Sequence, residues 1–250
     1  MSTTVVLVHG AFADASSWNG VIERLEAKDV QATAPANPLR GISIDSAYIA
    51  SIFEQTPGPV LAVGHSYGGA VITNAAPHAK NVVGLVYVAA FAPDEGETLG
   101  AVEAGSKDSI LNSALVPLNY PTANGGDPAV EYAIKPASLH DAFAADLPAA
   151  QAALLAATQR PIADLAFTEP TTAAAWKHLP SWAVVATGDK AAGSDVVRSM
   201  AKRAGATITE LEGSHVIMIS QPQAVTDVIL AAMAAVGSAS EQLVGSTSEQ

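Results

Sequence analysis

Cysteine is absent from the 250 residues. That excludes disulfides and thiolate chemistry, and it leaves the redox compartment unspecified. Basic residues are scarce, with 12 Lys and Arg against 24 Asp and Glu, a formal net charge of −12 at pH 7. Such an acidic chain is unsuited to nucleic acid or to an anionic membrane surface, and its charge favours solubility. Long apolar runs are missing. The first run is only residues 5–8, and Met1-Ser2-Thr3-Thr4 before it has no basic stretch, so it reads as a strand and not as a signal peptide. No segment has the uninterrupted apolar length that crosses a bilayer. Metal-ligand spacing such as H-E-x-x-H, a P-loop, and a Gly-rich dinucleotide fingerprint after the first strand are all lacking, so no metal or cofactor is expected. The expectation is a soluble cytoplasmic protein; its oligomeric state is not legible.

What is present is a core. Hydrophobic residues make up 49% of the chain, which argues against disorder, and 250 residues suit one α/β domain. Apolar runs at 4–9, 30–34, 59–63, 81–90, 182–188 and 206–211 read as strands. The Thr residues of the last suggest a sheet edge. Helical patterns lie between them. Trp18, Val21, Ile22 and Leu25 share one face, with Ser16 and Ser17 as candidate N-caps. Residues 44–53, 69–76 and 196–204 follow, then a stripe of Val225, Val228, Ile229, Ala232, Met233 and Val236. Alternating strands and helices predict a parallel sheet covered on both faces. Residues 95–177 break the rhythm and read as a cap lying over the carboxyl end of the sheet. Turn residues cluster at 124–128, and an Ala-rich helical stretch near 142–159 is interrupted at Pro148. The single domain then spans 1–236, and the Ser-, Gly-, Glu- and Gln-rich residues 237–250 read as a frayed tail. No internal repeat is found.

One pentapeptide organises this pattern. Gly64-His65-Ser66-Tyr67-Gly68 sits between the apolar run at 59–63 and the helical run at 69–76. A G-x-S-x-G turn between strand and helix pushes its serine hydroxyl out at the sheet edge. The glycines avoid Cβ clashes in that turn, and the helix N-terminus points its free amides at the same spot. A serine hydroxyl is a weak nucleophile. It needs a base within reach, and the base needs an orienting acid. His215 follows the strand at 206–211, and Asp189 follows the strand at 182–188. Both fall at carboxyl ends of parallel strands, on the rim where Ser66 stands and where open α/β sheets bind ligands. Asp94 after the strand at 81–90, and Asp195, are the other candidate acids. His9 ends the first strand and reads as shaping the loop that follows. His65 points away from the serine, His78 is near a helix end, and His140 and His178 lie in or beside the insertion. Acyl transfer also needs oxyanion donors. The Tyr67 amide, next to the nucleophile, and the Ala11 amide, in the loop after the first strand, fit that role.

Together these pieces resemble the α/β-hydrolase superfamily over residues 4–236, and more closely the branch of plant methylesterases, hydroxynitrile lyases and bacterial esterases. The matching stretches are Val6-Leu7-Val8-His9-Gly10-Ala11 with Trp18, Gly64-His65-Ser66-Tyr67-Gly68-Gly69, and Tyr87-Val88-Ala89-Ala90-Phe91-Ala92-Pro93. Thr187-Gly188-Asp189-Lys190-Ala191 and Gly213-Ser214-His215 complete them. The resemblance implies six mostly parallel strands, helices on both faces and a helical cap. It implies a Ser66–Asp189–His215 triad with Ala11 and Tyr67 as oxyanion donors. It departs from the branch after Ala191, where relatives carry an Ile-Pro-Pro-like run and this chain has Ala192-Gly193-Ser194. The expected activity is hydrolysis of small neutral carboxylic esters or lactones. A hydroxynitrile-type lyase and a small-molecule binding protein are the alternatives. Such lyases place a lysine after the histidine and a threonine in the first loop; here those places hold Val216 and Gly10-Ala11. The cap has ten acidic residues and four basic ones, Lys107, Lys135, Arg160 and Lys177. Some of Leu111, Leu115, Phe143, Leu147, Leu154, Leu155, Phe167 and Trp176 are expected to close over Ser66 as an apolar pocket.

Overall fold

The computed structural model describes residues 2–122 and 125–247, with side chains as far as Ser238. The chain begins with β1 (Thr4–Val8), every residue of which is buried. After a short 3-10 turn come α1 (Asn19–Glu26), β2 (Ala32–Thr33) and α2 (Ile42–Gln55). Asp14, not a serine, caps the 3-10 turn by accepting from the Ser16 amide. Next are β3 (Val60–His65), α3 (Tyr67–Ala75) and β4 (Val82–Val88). Far along the chain, β8 (Ser181–Ala186), α9 (Ser194–Arg203) and β9 (Thr207–Leu211) resume the alternation. The sheet order is β2-β1-β3-β4-β8-β9, with every neighbouring pair parallel. β9 is an edge, as its threonines suggested. Parallel strands need both faces covered, and that is why β1 and β3 are buried throughout rather than alternating. α1 packs against the final helix on one face, while α2 and α3 pack together on the other.

Between β4 and β8 the chain forms the cap: α4 (Leu99–Ala104), α5 (Leu111–Ala114), β5 (Leu115–Tyr120), β6 (Ala129–Ile134), α6 (Pro136–Phe143), α7 (Ala149–Thr158), β7 (Ile162–Ala163) and α8 (Leu165–Thr168). Pro148 separates α6 from α7 as expected, standing at the N-cap of α7. The cap is not purely helical. β5, β6 and β7 form an antiparallel sheet of their own. The sequence concealed it because β5 contains Pro117 and leaves Leu118 exposed. Proline lacks the ladder donor, and it is tolerated here because β5 is an edge strand.

The chain closes with α10 (Ile217–Ser220) and α11 (Pro222–Thr247). The backbone is therefore helical through the first part of the expected tail, and residues 248–250 of it lie outside the described residues. Among the described residues no helix is long and apolar enough to cross a membrane.

Candidate active site

Ser66 stands on the turn between β3 and α3 with φ +53° and ψ −124°. L-residues rarely adopt that conformation; the turn enforces it by packing. A Cβ on Gly64 would lie 2.5 Å from the Gly68 carbonyl oxygen, and one on Gly68 would lie 2.3 Å from the Val8 carbonyl oxygen. Only glycine fits at either place. Ser66 is 6% exposed, and among the described residues its hydroxyl has no protein hydrogen-bond partner. Tyr67 is the first residue of α3, so its amide is one of those without an intrahelical acceptor. Its hydroxyl donates to Asp45 Oδ2 at 2.7 Å.

His215 and Asp189 meet at the same rim. His215 Nδ1–H donates to Asp189 Oδ2 at 2.8 Å, with both side chains buried. Asp189 Oδ1 accepts from the Ala191 and Ala192 amides at 2.9 and 3.0 Å. With Nδ1 engaged, Nε2 of the neutral ring is left as the acceptor. Ser66 and His215 line one small cavity together with Ala11, Phe12, Phe91, Phe143 and other apolar groups. Asp94, by contrast, lies at the surface. Lys177 bonds it at 2.5 Å and holds its carboxyl below the usual range. Asp195 binds the cap instead, accepting from Ser106 Oγ at 2.6 Å and from the Lys107 amide at 2.8 Å.

The ring of His65 packs against that of His215. Its Nε2–H donates to the His215 carbonyl at 3.0 Å, and the two rings are 4.7 Å apart. Burial, then the neighbouring His215, hold its pKa well below the ordinary histidine value. His9 shapes the first loop. Its Nδ1–H donates to the Gly10 carbonyl and its Nε2 accepts from the Asn37 amide, both at 2.9 Å. Burial pushes its pKa down to about 4. The loop is pinned again by the Phe12 amide, which donates to the Arg160 carbonyl at 3.1 Å. The Ala11 amide has no protein acceptor among the described residues. Asn37 and Arg160 were not singled out as loop supports by sequence; they come from distant segments, and no spacing connects them to His9.

Of the cap's apolar residues singled out by sequence, Leu111, Phe143 and Phe167 line the serine cavity, and Leu99, which was not singled out, lines it with them. Leu154 is 67% exposed, and Trp176 instead donates from Nε1 to the Pro93 carbonyl at 2.9 Å. Among the described residues no three His, Asp or Glu side chains converge in a way that could hold a metal ion.

A parallel sheet thus carries a serine on a strained strand-to-helix turn and a buried histidine–aspartate pair on the same rim. The chain belongs to the alpha/beta hydrolase family, whose model matches residues 5–228. No match was found among curated proteins. Among solved structures, polyneuridine aldehyde esterase is similar at 20% identity and a TM-score of 0.75, covering 92% of this chain and 98% of that one. A methylesterase, MES16, from Arabidopsis is similar at 19% identity and a TM-score of 0.74, covering 94% and 99%. A pyrethroid hydrolase from Sphingobium faniae JZ-2 is similar at 23% identity and a TM-score of 0.73, covering 94% and 98%.

Proposed function

We propose that this protein is a serine hydrolase that cleaves small carboxylic esters, lactones included, through an acyl-enzyme. Ser66 Oγ attacks the carbonyl carbon while His215 Nε2 takes its proton. The Ala11 and Tyr67 amides receive the oxyanion, and His215 then returns the proton to the departing alkoxide. Water, activated by His215 in turn, attacks the acyl carbon and releases the acid with Ser66 restored. Asp189 keeps His215 in the tautomer that leaves Nε2 free. The observation that carries this reading is the pairing of a strained, unbonded serine with an aspartate-held histidine in one cavity. Hydrogen bonds between nucleophile and base tighten when substrate binds. The apolar wall around Ser66 supports substrates that are uncharged near the scissile bond. The esterases among the structural neighbours support ester chemistry over carbon–carbon cleavage, as does Val216 in the place of a lyase lysine.

A fluorophosphonate tests the reading. Intact mass should show one adduct, and peptide mapping should place it on Ser66. Ser66→Ala should abolish labelling and lower ester hydrolysis on the order of 10³-fold or more. Label elsewhere, or a folded protein that neither labels nor hydrolyses any ester, would overturn it.

A further inference from the structure

Two consecutive peptide groups hold Asp189, and the cap holds each of them from behind. The Ala191 and Ala192 amides donate to Asp189 Oδ1 at 2.9 and 3.0 Å. The carbonyl in the same peptide plane as the first amide is that of Lys190, and it accepts from the Ile110 amide at 2.9 Å. The carbonyl in plane with the second is that of Ala191, and it accepts from Ser109 Oγ at 2.7 Å. Ser109 Oγ also lies 2.5 Å from Glu103 Oε1, so one hydroxyl proton serves two acceptors. Ser109 and Ile110 are neighbours in the segment between α4 and α5, and they supply one donor to each peptide.

This arrangement has a mechanical and an electrical side. A peptide group is planar, so fixing its carbonyl oxygen fixes the direction of its N–H. Hydrogen bonds in a chain also polarise one another, and an amide donates more strongly when the carbonyl of its own peptide accepts. Among the described residues no lysine or arginine pairs with Asp189, whose one ion-pair partner is His215. The two amides therefore carry the stabilisation that a cation supplies elsewhere. Other bonds fasten the same cap segment to α9 without reaching these peptides. Ser194 Oγ donates to Asp108 Oδ2 at 2.6 Å, and Asp195 accepts from Ser106 Oγ and the Lys107 amide.

Resting on the esterase reading, we propose that Ser109 is a positioning residue for the triad. Its hydroxyl, with the Ile110 amide beside it, aims the Ala191 and Ala192 amides at Asp189, and through Asp189 it sets the ring of His215. The cap then takes part in the reaction at its acid, and not only by covering Ser66.

A double-mutant cycle on one neutral ester tests this. Ser109→Ala should lower kcat about tenfold and leave KM unchanged, because the loss falls on the transition state. In the Asp189→Asn background, where no carboxylate orients the ring, the same change should cost less than about twofold. Ser194→Ala, which breaks a bond of the cap to α9 and none to the two peptides, should leave kcat unchanged. Thermal unfolding reports whether each variant is folded. If the alanine variant does not fold, Ser109→Cys replaces it in the cycle, its thiol being a weaker donor in the same place. Equal losses in the two backgrounds, no loss in the parent, or an equal loss in Ser194→Ala would overturn the proposal and leave the esterase reading standing. If the parent neither labels with a fluorophosphonate nor hydrolyses any ester, both fall together.

Discussion

Both carboxylate oxygens of Asp189 are occupied: Oδ2 by His215, and Oδ1 by two backbone amides. An asparagine there retains an acceptor for the amides but sets an NH₂ against the His215 Nδ1–H, and the ring must change tautomer to avoid it. Asp189→Asn should therefore lower kcat on the order of 10³–10⁴-fold with the fold intact by circular dichroism. Asp94→Asn should leave kcat within about twofold, because only an exposed ion pair with Lys177 is lost. The reverse pattern would reassign the acid. Sequence favoured Asp189 but kept Asp94 as an alternative, because each follows a strand ending on the same rim. What separates them is the path of the chain afterwards. Beyond Asp189 it turns sharply, so that the Ala191 and Ala192 amides come back to the carboxylate. Beyond β4 it runs outward into the cap and carries Asp94 to the surface. That geometry depends on long-range packing, which spacing does not encode.

At the scale of elements, the cap is joined to the loop that carries His215. The turn between α6 and α7 brings Asp146 to the Ser214 hydroxyl, and Phe143 lies with its ring 5.1 Å from His215 and 6.1 Å from Phe12. A cap element thus touches both His215 and the loop after β1. Asp146→Ala removes the carboxylate contact of this clasp and leaves the Ser214 hydroxyl only the Phe143 carbonyl. It should lower kcat about tenfold, since catalysis is sensitive to displacements of about 1 Å, while thermal unfolding shifts by a few degrees at most. Equal kcat in a folded variant would mean that the base needs no help from the cap. The core elements were legible because buried parallel strands leave continuous apolar runs; in the cap, Pro148 marked the break between α6 and α7. The hairpin β5–β6 was not. Its strands lie at the molecular surface, partly exposed on both faces, and Pro117 imitates a turn residue. Its stability comes from pairing across the cap rather than from local pattern.

For the whole molecule, two buried histidines contribute to the response to acid. His9 has a pKa near 4 in the fold, and in the unfolded chain about 6.5. As pH falls the unfolded state takes the proton first. Stability is therefore complete above about pH 6.5 and declines as pH drops towards 4, by about 3 kcal/mol from this ring. His65, also depressed by burial, adds in the same direction. The urea midpoint should fall between pH 7 and pH 4.5, and the fall should be shallower in His9→Asn. A midpoint constant over that interval would contradict the neutral, buried rings. Exposed carboxylates such as Glu210 lose their ion pairs at lower pH, which separates the two contributions.

The backbone angle at Ser66 also reaches the whole molecule. A non-glycine residue held in such a conformation costs about 1–3 kcal/mol, and glycine there avoids most of it at an unfolded-state entropy cost of about 0.5–1 kcal/mol. Ser66→Gly should melt a few degrees above Ser66→Ala by calorimetry, both being inactive. A lower melting point for the glycine variant would show that the turn is relaxed. The practical corollary concerns breeding the protein for heat tolerance. A screen that scores survival alone rewards the loss of Ser66, the nucleophile we propose, and every round of such selection has to be gated by turnover.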